Sequence, residues 1–287
     1  MRFNTPLRYP GGKGKLTPYL KLVFEHNDLV GGSYVEPYAG GAGVALNLLA
    51  DGYASCIHLN DLNSSVFAFW YSVINHSEEL CSKIFDVKVT IDEWYKQKAI
   101  LNDPSNHSLI DVGFSTFFLN RTNRSGILLG GVIGGKKQDG DWKLDARFNK
   151  NSLIDRIEKI AILRDRISLY NLDAAKLIKA VLPTLPKKTL VYLDPPYYVK
   201  GQGLYQNHYK HDDHLAIADL VQKEIKQHWI VSYDHTSEID QMYKQRAKIA
   251  YGINYSAQSR YKGAEVMFFS ESLILPDEQN PAKLSAA

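Results

Sequence analysis

Strand-like and helix-like segments alternate in two separate blocks of this chain, and that alternation narrows the fold more than any other feature. In the first block, residues 33–37 read as a strand, 40–43 as a turn, 44–50 as a helix, and 56–59 as a second strand ending in Asn60 and Asp61. The pattern resumes with a strand at 167–172, a helix at 174–180, a strand at 189–193, a helix at 212–226 and strands at 229–233, 247–253 and 265–269. Strands joined by helices predict an α/β fold: a mostly parallel sheet with helices on both faces. Between the blocks the period is helical, at 66–74, 91–101 and 110–119, interrupted by a glycine-rich basic stretch at 126–140. The expected organisation is an α/β domain built from residues 1–63 and 160–287, with a mainly helical unit, 64–159, inserted into it.

A chain of 287 residues with 45% hydrophobic content is long enough for one large α/β domain carrying such an insertion. No apolar run reaches the roughly 18 residues a membrane helix needs, and MRFNTPLRYP lacks a signal peptide's hydrophobic core, so a cytoplasmic protein without a membrane partner is expected. Cys56 and Cys81 form no CxxC pair and read as buried thiols rather than a disulfide framework. His208, His211 and His214 share a spacing of three but lack a carboxylate motif; they read as surface or capping residues, and no metal is expected. The polar tail after Pro276 is expected to fray. The net charge of +3 is modest, but residues 121–150 hold seven basic side chains against three acids, a larger surplus than the whole chain carries.

The turn Gly40-Gly41-Ala42-Gly43 lets a ligand approach the backbone and meet the amide end of the following helix. About twenty residues on stands Asp61, where Rossmann-type sites place the acid that grips a ribose diol. The turn is not a clean GxGxxG. Glu36, Pro37 and Tyr38 precede its glycines, which suits a cofactor with an amino acid moiety better than a pyrophosphate and favours S-adenosylmethionine over NAD. Two stretches that resemble phosphate loops, GGVIGGKK at 130–137 and GGKGKLT at 11–17, put Lys137 and Leu16 where Ser or Thr must hold magnesium.

The second candidate site is Asp194-Pro195-Pro196-Tyr197, which ends an apolar strand and therefore faces the crevice at the carboxyl edge of the sheet. An amine conjugated to a heteroaromatic ring is a poor nucleophile because its lone pair is delocalised. An ionised Asp194 and the carbonyl of Pro195 are both acceptors. Accepting one N–H each, they would draw the nitrogen toward tetrahedral geometry. The prolines fix the backbone, and Tyr197 is expected to offer a face for base stacking, worth roughly 1–3 kcal/mol.

With those residues in view, the chain resembles the Dam-type adenine-specific DNA methyltransferases over nearly its whole length. DPPY at 194–197 matches that family's catalytic tetrad, and the further matches are TPLRYPGGKGKL at 5–16, EPYAGGAGVAL at 36–46, LND at 59–61, YNLDAAKLI at 170–178, HDDHLAIADLV at 211–221 and WIVSYD at 229–234. The resemblance implies a Rossmann-like methyltransferase sheet and methyl transfer from S-adenosylmethionine to the exocyclic amine of a flipped adenine in double-stranded DNA. It implies that Tyr9 and Lys13 touch the cofactor, Lys13 near its carboxylate, and that Pro37, Tyr38 and Gly40, with Glu36 beside them, line its methionine moiety. Asp61 would hold the ribose hydroxyls, Asp173 the cofactor's adenine amine, and Asp194, Pro195, Pro196 and Tyr197 the target base beside the cofactor. The family often has an aromatic where this chain has Ala174, so stacking on the cofactor's adenine must come from elsewhere.

A base inside a duplex is out of reach, so base flipping is implied. The inserted unit then supplies recognition through Asn120, Arg121, Asn123, Arg124, Lys136, Lys137 and Arg147, as amides for adenine edges, forks for guanine edges and cations for phosphates. A cognate restriction nuclease or defence-system subunits are partners the resemblance admits. Two other readings stand beside this one: a catalytically inactive DNA-binding subunit, and an enzyme acting on RNA or a protein amide. Intact Lys13, Asp61, Asp173 and Asp194 weigh against the first, and Asp rather than Asn at 194 against a protein amide.

Overall fold

The computed structural model describes residues 5–9, 12–199, 209–255, 261–277 and 280–284. Their elements follow in the order α1 (Thr17–His26), β1 (Gly32–Glu36), α2 (Gly43–Ala50), β2 (Ala54–Asn60), α3 (Ser64–Asn75), α4 (Ser77–Asp86), α5 (Ile91–Asn102), α6 (Leu109–Thr122), α7 (Lys150–Ala161), β3 (Ile167–Tyr170), α8 (Ala174–Ala180), β4 (Thr189–Leu193), α9 (His211–Glu224), β5 (His228–Asp234), α10 (Ser237–Met242), β6 (Lys248–Tyr255) and β7 (Tyr261–Phe269). None of the described helices is long and apolar enough to cross a membrane.

The seven strands form one sheet in the order β3-β2-β1-β4-β5-β7-β6. β3, β2, β1, β4 and β5 run parallel, while β7 pairs antiparallel with both β5 and β6. The chain steps outward from β1 to β3, then returns to β4 on the other side of β1. Strand order reverses there, and the crevice outside the carboxyl ends of β1 and β4 is where open α/β sheets take ligands.

Side chains alternate across the sheet with a period of two. Tyr34, Leu190 and Tyr192 enter the core on one face, shared with Phe69, Trp70 and Phe117 of the helical stretch. Val35, Val191 and Leu193 enter the core on the other, with Ala174, Ile217 and Val221. Because both faces are covered, β1 and β4 are buried along their length, and β4 from Leu190 to Leu193 reads as a continuous apolar run. Each fully buried Val, Leu or Phe contributes roughly 1.5–3 kcal/mol.

The helical stretch packs on the carboxyl side of this sheet through α3. The indole of Trp70 donates to the carbonyl of Gly40 at 2.9 Å, tying α3 to the glycine turn. Phe117 of α6 stacks on Phe69 at 5.9 Å, and Phe148 meets Phe117 and Phe118 at 5.5 and 5.4 Å.

Two expectations are corrected. Both cysteines are half-buried rather than buried. His214 is fully buried, not a surface or capping residue, because it lies on the inward stripe of α9 with Ile217, Ala218 and Val221. Burial lowers its pKa to about 4, and its ring packs among Tyr198, Tyr209 and Tyr233. His211 bonds the Tyr198 hydroxyl at 2.8 Å, and His208 lies outside the described residues.

Candidate active site

β1 delivers the first part of the site. The turn after it needs a left-handed backbone at Gly40, φ 46°, and at Ala42, φ 47°. A Cβ on Gly40 would stand 2.6 Å from the ring of Tyr9, which lies over the turn. Asp61, past the end of β2, accepts the amide of Gly40 at 2.9 Å and that of Asn63 at 2.9 Å, so it holds the turn in place. Burial raises its pKa to about 6, against the pull of those two amides. Asn60 staples the strand ends together: it donates to the carbonyls of Pro37 and Leu172 at 2.8 and 2.9 Å and accepts the Leu172 amide at 2.9 Å. Tyr38 meets the Tyr209 hydroxyl at 3.0 Å. Asp173, exposed after β3, caps α8 through the amide of Ala175 at 2.9 Å.

Glu36 is buried behind the turn, where it accepts from the Tyr34 hydroxyl at 3.1 Å and the Ala45 amide at 3.2 Å. Burial lifts its pKa to about 8, only partly offset by those bonds, so it is mostly neutral at pH 7.

β4 delivers Asp194 to the switch point. Its Oδ1 lies 3.2 Å from Lys13 Nζ and accepts the Ser232 hydroxyl at 2.9 Å; Ser232 in turn meets the Tyr192 hydroxyl at 2.9 Å. Burial raises the Asp194 pKa to about 6: Lys13 opposes the rise, and Glu265 adds to it. Lys13 Nζ also lies 3.1 Å from Glu265 Oε1, over the ring of Tyr197 and against its hydroxyl. Burial works against its charge, but Asp194 and Glu265 outweigh it and hold the ammonium above the usual lysine range. The Tyr197 hydroxyl donates to Glu265 Oε1, and Tyr251 donates to Oε2 at 2.8 Å.

The segment after the prolines is gripped from β5. Asp234 Oδ1 accepts the amide of Tyr198 at 2.8 Å, and Oδ2 that of Val199 at 3.0 Å.

The structure thus gathers most of the sequence-predicted residues at one crevice, with two departures. Lys13 sits between Asp194 and Glu265. Tyr197 is 5% exposed, and its hydroxyl is committed to Lys13 and Glu265.

On the helical side, Arg124, Lys136, Lys137 and Arg147 are exposed. Asn120 and Asn123 are not. Asn120, 2% exposed, accepts the Arg8 amide at 2.7 Å and donates to the carbonyls of Arg8 and Gly126 at 2.8 and 2.9 Å. Asn123, 0% exposed, accepts the Trp94 indole at 2.7 Å and donates to Ile127 and Leu128 at 3.0 and 2.9 Å. With every polar atom engaged inside the protein, neither has an edge for a base, and their role is to fold the loop. Arg121 is buried as well, at 8% exposure.

The sequence reading missed Glu265, Ser232 and Asp234. Glu265 carried a usable signal as a lone acid heading the apolar run Val266-Met267-Phe268-Phe269, and all four of those neighbours are buried.

The donor set fits S-adenosylmethionine. Asp61, Asp173 and Asp194 stand beyond β2, β3 and β4, and around Lys13 two carboxylates face one ammonium, a surplus of negative charge that suits a sulfonium. Fold and site together define a Rossmann-like, S-adenosylmethionine-dependent methyltransferase whose acid-proline-proline-tyrosine corner lies at the switch point. Residues 9–257 match the model of the D12 class N6 adenine-specific DNA methyltransferases, and the chain belongs to that family. No curated protein matches it. Among solved structures it is similar to an S-adenosylmethionine-dependent methyltransferase from Agrobacterium tumefaciens, at 9% identity over 88% of this chain and 60% of that one, TM-score 0.42. It is also similar to the rRNA methyltransferase aviRa from Streptomyces viridochromogenes, at 9% identity over 91% and 86%, TM-score 0.38.

Proposed function

We propose that this enzyme methylates the exocyclic amine of an adenine extruded from double-stranded DNA, with Asp194 and the Pro195 carbonyl as the acceptors that grip the amine. The observation that carries this reading is the asymmetry of Asp194. Its contacts with Lys13 and Ser232 both fall on Oδ1, which leaves Oδ2 to accept an incoming N–H. Ser232 and Tyr192 orient the carboxylate from behind, and Asp234 fixes the backbone beyond the prolines. S-adenosylmethionine supplies the methyl group, made electrophilic by its sulfonium.

Tyr9, Pro37, Tyr38, Gly40, Asp61 and Asp173 are the residues that would hold the cofactor, and Asp61 and Asp173 keep unused lone pairs beyond the amides they cap. Tyr197 acts through its hydroxyl, steadying Lys13 beside Asp194. The helical stretch 64–159 serves as the target-recognition unit, with Arg124, Lys136, Lys137 and Arg147 on its exposed side.

Sequencing that maps methylated adenines in DNA from cells expressing the chain, set against the Asp194→Ala variant, tests this directly. Methylation at a defined adenine that disappears in the variant is the expected result. Methylation retained in Asp194→Ala, or found only on RNA, defeats it.

A further inference from the structure

Four arginines converge near the catalytic crevice, and among the described residues no acid pairs with any of them. Arg121 comes from the last turn of α6, Arg8 from the N-terminal segment, Arg147 from the loop before α7, and Arg156 from α7. The convergence is built by contacts around it. Asn120 clamps the backbone of Arg8 on both sides, and Arg8 Nη1 donates to the Asn123 carbonyl at 3.2 Å, one turn end away from Arg121. Arg156 Nη1 reaches the Thr5 carbonyl at 3.2 Å, and its Nη2 the Ser152 hydroxyl at 3.4 Å. Phe148 packs on Phe117 and Phe118, which sit one helical turn before Arg121, and so seats Arg147 at the same place.

Exposure falls inward along the cluster. Arg147 is exposed, its guanidinium 5.8 Å over the Trp142 ring; Arg8 and Arg156 are half-buried; Arg121 is 8% exposed, and its buried Nε has no hydrogen-bond partner. Among the described residues, none of the four takes part in an ion pair within 4.0 Å. Burial, then Arg156, Arg8 and Arg147, lower the Arg121 pKa to about 9, and no carboxylate pulls it back. A cation in the last turn of a helix gains from the dipole, typically 0.3–1 kcal/mol. That does not account for three further arginines gathered around a buried Arg121, since an unpaired buried charge costs several kcal/mol.

We infer that Arg121, Arg8, Arg156 and Arg147 form a pocket for one phosphate group of the DNA backbone, with the bare fork of Arg121 as its floor. The inference rests on the proposed action on DNA. Guanidinium forks match phosphate oxygens two at a time, and a graded mouth of charge admits an anion that is part of a larger chain. Arg8 is followed by Tyr9, which lies over the glycine turn, and five residues later by Lys13, beside Asp194. The proposal accordingly puts this phosphate on the strand that presents the target adenine.

The test uses the full chain, its Arg121→Met variant, and a duplex carrying the adenine site mapped by sequencing. Removing a structural arginine lowers stability and spares DNA binding; removing the floor of an anion pocket does the reverse. Arg121→Met should unfold at or above the wild-type midpoint in chloride buffer, and inorganic phosphate at equal ionic strength should raise the midpoint of the wild type alone. Its affinity for the duplex should fall roughly tenfold, and the slope of log affinity against log salt should fall by about one.

A single uncharged methylphosphonate linkage next to the target adenine should reproduce that loss in the wild type and add nothing in the variant. An Arg121→Met protein that is less stable yet binds DNA with unchanged affinity and salt slope overturns the pocket. Protection by inorganic phosphate without coupling to any linkage overturns the assignment to DNA in favour of a free phosphate. If Arg121→Met does not fold, Arg156→Met carries the same comparison. Wild-type methylation of the duplex is measured alongside: coupling absent with methylation intact defeats the pocket alone, whereas a wild type that neither binds nor methylates DNA defeats both readings.

Discussion

Lys13 and Asp194 are 181 positions apart in the chain, and the ammonium of one stands 3.2 Å from Oδ1 of the other, with Glu265 Oε1 3.1 Å away on the lysine's far side. A lysine held between two carboxylates cannot move freely to an incoming ligand. It fixes which oxygen of Asp194 is engaged, Oδ1, and leaves Oδ2 outside both contacts.

Asp194 must be ionised to accept an N–H, and its pKa of about 6 reflects burial opposed by Lys13. Single-turnover methyl transfer should therefore rise with pH through about 6 and level off above it. In Asp194→Ala the methylation should be abolished while duplex affinity stays within a few-fold of wild type. A flat profile between pH 5 and 8 in the wild-type enzyme contradicts the assignment.

Glu265→Gln keeps the shape and the acceptor of Glu265 Oε1 but removes one of the two carboxylates that oppose Lys13. The ammonium should then lean wholly on Asp194, deepening its ion pair and lowering its pKa. Turnover should fall about tenfold, and the acidic limb of the pH profile should move below 6. A purely structural Glu265 would lower the unfolding midpoint and leave that limb where it was.

Asp234 holds the amides of Tyr198 and Val199, just past the acid-proline-proline-tyrosine corner, so Asp234→Ala frees the segment that aims Asp194 and Pro195. Misplacement of a reacting group by about 1 Å costs roughly a hundredfold. The loss should appear in the rate of the chemical step, with cofactor affinity measured by calorimetry nearly unchanged; an equal loss in both would point to general unfolding.

The strand-helix alternation and the two corners at Gly40 and Asp194 were legible because each is local: a strand of continuous burial, a glycine turn, a proline pair. The antiparallel entry of β7 between β5 and β6 was not, since pairing order leaves no mark on the period of a strand. Asn120 and Asn123 show the same limit at the site. In sequence they sit in a polar, basic run that reads as a DNA-facing loop, and only the tertiary partners Arg8 and Trp94 reveal that both amides are spent inside the protein. Asn123→Ala should accordingly destabilise the fold by roughly 3 kcal/mol, leaving Trp94 and two carbonyls unpaired, without changing which adenine is methylated.

Glu36 offers a test that needs no substrate. In the fold its pKa is about 8, because burial outweighs the bonds from Tyr34 and Ala45, whereas in the unfolded chain it is near 4.5. Between those values the folded protein holds a proton that the unfolded chain has released. Stability should therefore fall as pH rises from about 4.5 to about 8, by at most roughly 1.4 kcal/mol per pH unit from this group. Glu36→Gln cannot release a proton, so its stability should decline less over the same window, and the variant should gain on the wild type as pH increases. Chemical denaturation of both proteins at pH 5, 7 and 9 measures the difference. Two stability curves that stay parallel across that range would mean that Glu36 is ionised in the fold, and that the ground behind the glycine turn is charged rather than neutral when the cofactor arrives.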